Sequence, residues 1–225
     1  NYGGVVENVR RNTARALERG YRQIKLHERT AETVKATREE CGPDVPIMVD
    51  TNCAWLPEAA AEAVLAMKPY DLLWVEEPLW PPDDFALLAD LRERTGVAMA
   101  VGENARGMTE FHDMAASGAV DYAQPSVIKI GGLTTMMRII REAEAGGMTC
   151  VPHSPYFGPG YLATVHALAV KERESALERF FCDLAMMPYA HSVPIVDGYI
   201  DVPDTPGTIA WPPSLPSVPP RAPRA

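Results

Sequence analysis

The sequence predicts an α/β fold in which strand and helix alternate along a parallel sheet, and three observations predict it. Apolar runs end near positions 27, 50, 76, 103, 126, 153 and 182, a beat of about 25 residues that suits one strand plus one helix. The segments between these runs carry apolar residues at helical spacing. Three consecutive runs also close on an acid: Ile47-Met48-Val49 on Asp50, Leu72-Leu73-Trp74-Val75 on Glu76, and Val97 to Gly102 on Glu103. Seven strands on this beat is one short of a closed eightfold barrel. A doubly wound open sheet is the alternative. No Gly-x-Gly-x-x-Gly follows any strand, however, and polar residues stand at nearly every strand end rather than at one switch point. The barrel is therefore preferred.

Taken in order, Val5 to Arg19 reads as a helix stopped by Gly20, and Tyr21 to His27 as a strand. Thr30 to Cys41 is a charged amphipathic helix ended by Gly42-Pro43, and the strand closing on Asp50 follows. Pro57 to Lys68 is an Ala-rich helix with proline in its first turn. After the strand closing on Glu76, Asp83 to Thr95 is helical, with Asp83 or Asp84 as cap and Gly96 as stop. Helix Thr109 to Ser117 leads to a strand from Tyr122 to Ile128, and Gly131-Gly132 opens the loop before helix Thr134 to Ala145. Met148 to Pro152 is a strand that ends at His153, Gly160 to Glu174 a helix, and Arg179 to Leu184 the last strand. Residues 1–211 thus form one domain, and 212–225, with Pro212, Pro213, Pro216, Pro219, Pro220 and Pro223, an extended tail.

Composition narrows the function. The chain has 225 residues, 47% hydrophobic and 23% charged, as in ordinary globular proteins. A net charge of −9 argues against nucleic acid as the main partner, because phosphate binding needs a basic face. No apolar run approaches a membrane span. Cys41, Cys53, Cys150 and Cys182 are scattered without a CxxC pair, which fits free thiols and a cytoplasmic location.

At the shared mouth of a barrel, Asp50, Glu76 and Glu103 would converge. Three carboxylates in one cavity repel, and a cation is what keeps them ionised together; an all-oxygen set suits Mg²⁺. The bland reading is three separate caps or ion pairs, but three acids in phase with consecutive strands favour the metal. Lys25 and His27 project to one face of their strand, since they are one residue apart. One suits a substrate carboxylate and the other a proton transfer. His153, at a strand end across the mouth, is an acid/base candidate, and Lys129 can approach the carboxylates.

These residues as an ordered set resemble the enolase superfamily, in its mandelate racemase and muconate lactonizing enzyme branch. The stretches that carry the likeness are Ile24-Lys25-Leu26-His27, Val49-Asp50-Thr51-Asn52, Trp74-Val75-Glu76-Glu77-Pro78, Gly102-Glu103-Asn104, Lys129-Ile130-Gly131-Gly132, Pro152-His153-Ser154, and Asp197-Gly198-Tyr199 to Pro206-Gly207. The resemblance implies a (β/α)₇β barrel, with the first strand and an N-terminal capping domain lying upstream of Asn1. It implies Mg²⁺ on Asp50, Glu76 and Glu103, with Lys25, His27 and His153 catalytic and Asn52, Lys129 and Asp183 contacting a small carboxylate substrate.

The reaction so implied removes the proton α to that carboxylate. Dehydration of an acid sugar or hydroxy acid is the first expectation. A racemase or epimerase, or an inert barrel that keeps only its metal site, are the alternatives. His27 stands where the family usually has a second Lys, and Ser126 where its members carry an Asp partner for the late His or a catalytic Lys. Elimination by one base, or by a base and an acid, is therefore expected over two-base racemization. Assembly into a homo-oligomer is also expected.

Overall fold

The computed structural model describes residues 4–155, 157–171, 175–182, 193 and 195–204. Six parallel strands pair in chain order: β1 (Ile24–Leu26), β2 (Ile47–Asp50), β3 (Leu72–Glu76), β4 (Met99–Val101), β5 (Tyr122–Ala123) and β6 (Thr149–Cys150). The order never reverses, so there is no switch point and the doubly wound alternative falls. Register brings Lys25 beside Met48, Asp50 beside Glu76, and Glu76 beside Ala100.

The helices fall in the predicted gaps: α1 (Val6–Glu18), α2 (Ala31–Cys41), α3 (Pro57–Met67), α4 (Phe85–Thr95), α5 (Met108–Ser117), α6 (Leu133–Ala145) and α7 (Pro159–Ala169). Their ends follow local chemistry. Thr30 caps α2 through the Thr33 amide at 3.4 Å, and Asp84 rather than Asp83 caps α4 through the Leu87 amide at 3.1 Å. Gly96, at φ 64°, stops α4 in the left-handed region that glycine enters without a Cβ clash.

Alternation along the strands divides the sheet into two faces. Ile47 and Val49 of β2 pack with Val9, Ala16, Val34 and Met67 of the flanking helices. Val75, Met99, Val101, Ala123 and Cys150 pack with Val64, Leu88, Phe111, Met136 and Ile139. The intervening residues Met48, Trp74 and Ala100 turn the other way and cluster with Val151, and the Trp74 and Tyr122 rings lie 4.5 Å apart there. Asp50 and Glu76 follow Met48 and Trp74 at a spacing of two, so they end this second face.

Three expectations need correction. The strand read as Tyr122 to Ile128 stops at Ala123. Pro125 has no N–H to give a ladder, and the Ser126 carbonyl instead accepts from the Lys129 and Ile130 amides in a turn. The helix read as Gly160 to Glu174 ends at Ala169; residues 172–174 lie outside the described residues. Of the strand read as Arg179 to Leu184, residues 179–182 form no ladder, and 183–184 lie outside the described residues. The groups that would pair at this edge have side-chain partners: Ser175 Oγ donates to the Cys150 carbonyl (3.1 Å), and Ser154 Oγ to the Glu178 carbonyl (2.7 Å).

The same segment reaches the opposite edge of the sheet. Phe181 packs edge-on against Tyr21 at 5.7 Å, with the Arg19 guanidinium 5.1 Å from its ring centre. A hairpin, β7 (Ile195–Val196) with β8 (Tyr199–Ile200), turns at Asp197-Gly198, both at positive φ. The tail 212–225 lies outside the described residues. No helix of the described residues is long and apolar enough to cross a membrane.

Asp121, at the head of β5, fastens three neighbours. Its carboxylate accepts from the Met99 amide (2.9 Å) and from Arg92 Nε (2.8 Å), and its carbonyl accepts from the Thr149 amide (2.8 Å). Burial raises the Asp121 pKa, but the Arg92 hydrogen bond and the Met99 amide outweigh that and hold it below the ordinary carboxylate value. The folded-state value is depressed, so its contribution is complete above about pH 4 and is lost as pH falls through the depressed value. Replacing Asp121→Asn is expected to destabilise by about 1 kcal/mol at pH 7, a figure discounted for partial exposure. Urea unfolding at pH 7 and pH 3 checks this: the gap between variant and wild type should shrink at the lower pH, and an equal gap at both would show that charge plays no part.

Candidate active site

Asp50 and Glu76 are the last residues of paired parallel strands, so register alone sets their carboxylates side by side. Glu103 arrives differently. It follows Gly102, whose φ is 128° and where a Cβ would stand 3.0 Å from the Phe111 ring and 3.1 Å from the Gln124 nitrogen. Only glycine fits there, and the bend it permits brings Glu103 to the other two. One oxygen from each of the three lies within 4.8 Å of the others.

Burial makes this grouping costly. Asp50 and Glu76 are 1% and 0% exposed. Burial raises the Glu76 pKa, Lys25 opposes it, and Asp50 and Glu178 add to it, leaving Glu76 at about 7. Burial acts on Asp50 too, but hydrogen bonding from His27 and the charge of Lys25 hold it below its ordinary value. Glu103 is likewise held low against burial by its hydrogen bond to His153.

The cationic candidates surround the three acids. Lys25 Nζ lies 3.0 and 3.1 Å from the two Glu76 oxygens and 3.6 Å from Asp50 Oδ2, and it also pairs with Glu178. Burial disfavours its charge, but Glu76, Glu178 and Asp50 together keep the Lys25 pKa above the ordinary amine value. His27 Nε2 is 2.9 Å from Asp50 Oδ2, so Lys25 and His27 share a face as their spacing predicts. His153 Nε2 is 2.9 Å from Glu103 Oε2. The carboxylate that Ser126 does not supply to His153 thus comes from Glu103. Lys129 Nζ stands 3.6 Å from Glu103 and 3.4 Å from Asn104 Oδ1. Asn52 gives its side-chain amide to Asp50 Oδ1 at 2.6 Å and its backbone amide to the same oxygen at 3.0 Å. The structure therefore uses this group to orient Asp50. Asp183 lies outside the described residues.

Four participants escaped the sequence reading. Trp74 Nε1 donates to Glu76 Oε2 at 3.3 Å, and its spacing of two from Glu76 is the signal that marks it. Glu77 is buried at φ 42° and accepts from Asn104 Nδ2 (2.6 Å) and Cys53 Sγ (3.2 Å); burial and the nearby Glu103 raise its pKa. The doubled acid in Glu76-Glu77-Pro78 is its trace in the sequence. Gln124 hydrogen bonds Glu76, while its Oε1 is buried without a partner among the described residues. Glu178 has no sequence signal. Lys25, His27, Trp74, Gln124, Glu178 and Phe181 line a cavity of about 320 Å³ on this side of the sheet.

The comparisons agree with this geometry. A family model described as "Enolase C-terminal domain-like" matches residues 8–208. The chain is 33% identical over 209 residues to a 3,6-anhydro-α-L-galactonate cycloisomerase of Streptomyces coelicolor, covering 90% of this chain and 56% of that protein. It is 31% identical over 209 residues to an arabinonate dehydratase of Saccharolobus solfataricus, with the same two shares. The chain thus spans 56% of the length of these curated relatives. Among solved structures, L-talarate dehydratase from Polaromonas sp. JS666, complexed with Mg and L-glucarate, superposes with a TM-score of 0.75 at 26% identity, covering 90% of this chain and 55% of that one. With the family match extending over nearly its whole length, the chain belongs to the enolase superfamily, in its mandelate racemase/muconate lactonizing enzyme branch.

Proposed function

We propose that this chain carries the active site of a Mg²⁺-dependent enzyme that removes the proton α to a substrate carboxylate, most directly in the dehydration of an acid sugar. The observation that carries the reading is the convergence of Asp50, Glu76 and Glu103 within 4.8 Å, with a proton-transfer candidate on either side. The donor set fits the ion. Three carboxylate oxygens form an all-oxygen, partly solvated ligand group, and Glu76 at about 7 marks a charge that protein groups alone do not fully compensate. Bound there, Mg²⁺ supplies Lewis-acid stabilisation of the negative charge that grows on the substrate carboxylate.

The protein groups do the rest. Lys25, held charged, steadies the same carboxylate. His27 on the Asp50 side or His153 on the Glu103 side takes the α-proton, and the other protonates the departing β-oxygen. The C–H electron pair becomes the Cα–Cβ double bond as the C–O bond breaks, and the hydroxyl leaves as water. The resulting enol tautomerises to a 2-keto acid. A second reading is favoured by the cycloisomerase likeness: in a 3,6-anhydrohexonate the bridging oxygen on C3 is β to the carboxylate, so the same proton loss opens the ring. On the fold, the six-stranded sheet reads as part of a (β/α)₇β barrel occupying residues 1–211.

Two measurements test this. Incubation with pentonates, hexonates and aldarates in D₂O with Mg²⁺ should give keto-acid product in at least one case. Exchange of the α-proton without product would move the assignment to an epimerase, and no exchange with any of them would leave an inert barrel. Calorimetry should show that Asp50→Asn, Glu76→Gln and Glu103→Gln each weaken Mg²⁺ binding by at least about a hundredfold. The variant His153→Asn should keep its metal and lose roughly 10²–10⁴-fold in kcat. Unchanged metal affinity in the acid variants would remove the ligand assignment.

A further inference from the structure

Lys25 has three carboxylate partners, and two of them belong to the proposed metal trio. Its side chain is 11% exposed and contacts Glu76, Asp50 and Glu178. An ammonium lying across both oxygens of Glu76 occupies the position from which a divalent ion would draw on the same carboxylate, and the two cations repel there. Lys25 therefore needs another partner whenever the trio holds a metal, because a buried unpaired charge is costly.

Glu178 has the geometry for that part. It stands outside the trio, and its two oxygens face opposite edges of the site: Oε1 is toward Lys25, and Oε2 accepts from the Ser154 amide at 3.0 Å. Its backbone is fixed as well, since the carbonyl accepts from the Ser154 hydroxyl at 2.7 Å, and Ser154 is fully buried. Ser154 directly follows His153, which contacts Glu103. One carboxylate thus spans from the lysine of β1 to the residue after the histidine beyond β6, where no ladder joins the two strands among the described residues.

We propose that Glu178 is a positioning residue that takes Lys25 over from Glu76 when Mg²⁺ enters, keeping the ammonium paired and aimed at the substrate carboxylate. This rests on the metal assignment given under Proposed function. A structural ion pair would be indifferent to metal; this one is coupled to it through Lys25.

The test is a double-mutant cycle on Mg²⁺ affinity, read by calorimetry with wild type, Glu178→Gln, Lys25→Met and the double variant. Glutamine can still accept from the Ser154 amide, so the fold-bearing contact is kept. The expected result is that Glu178→Gln weakens Mg²⁺ binding about fivefold or more in wild type but less than about twofold in the Lys25→Met background. Glu178→Asp, which keeps the charge on a shorter arm, should fall between wild type and Glu178→Gln. An equal loss in both backgrounds would mean that only through-space charge is felt, and no loss would mean that Glu178 is structural; either result overturns the proposal. If wild type binds no Mg²⁺ that Asp50→Asn removes, the metal assignment fails with it. Metal binding that is lost in Asp50→Asn without any Lys25–Glu178 coupling overturns this inference alone.

Discussion

Mutual repulsion among buried carboxylates is the constraint around which this molecule is arranged. Asp50, Glu76 and Glu103 meet in a space that water scarcely reaches, with Glu77 and Glu178 close behind. Left to themselves such acids would protonate. The protein answers with a ring of donors: Lys25 and Trp74 on Glu76, His27 and Asn52 on Asp50, and His153 on Glu103. The compensation is uneven, and Glu76, the most deeply buried of the three, is the one whose acidity remains displaced upward. A grouping this costly to stability is what a binding function explains and a structural role does not.

Holding the group together depends on the sheet more than on any loop. Parallel register places Asp50 and Glu76 opposite each other, and alternation sends Met48 and Trp74 beneath them to fill the space that would otherwise admit water. Gly102 makes the third position possible by its lack of a side chain against Phe111 and Gln124. A methyl group there would force either the aromatic ring or the β5 backbone to move, and Glu103 would move with it.

Most of this was legible in the sequence because it is periodic. Acids closing successive apolar runs, and two residues one apart on a strand, are local patterns that parallel pairing turns into proximity, so Lys25, His27, Asp50, Glu76 and Glu103 fall where their spacing puts them. His153 was legible only as a strand end, and its contact with Glu103 depends on how far the sheet curves. Glu178 was not legible at all. Its role follows from a segment without strand period that crosses from β6 to β1, and no local pattern announces such a crossing. The shortening of β5 was open to reading, since Pro125 cannot extend a ladder. Asp197-Gly198 between β-branched and aromatic residues is likewise an ordinary hairpin signal, masked by treating the stretch only as a family likeness.

The two histidines show how loading such a centre would prepare it for chemistry. In the metal-free arrangement His27 and His153 each rest on one of the three carboxylates, at 2.9 Å on opposite sides. A hydrogen bond to a ligand oxygen competes with a cation for the same lone pairs. Occupancy of the trio therefore weakens both contacts together and leaves the imidazoles to face whatever carboxylate substrate enters the cavity. Lys25 undergoes the same displacement from Glu76, with Glu178 beside it as the remaining anion. Groups that neutralise the empty site thus become the groups that handle protons and charge in the filled one. The cationic ring and the acidic trio then form a single exchange system, which explains why the residues implicated in catalysis are the same ones that make the metal-free site tolerable.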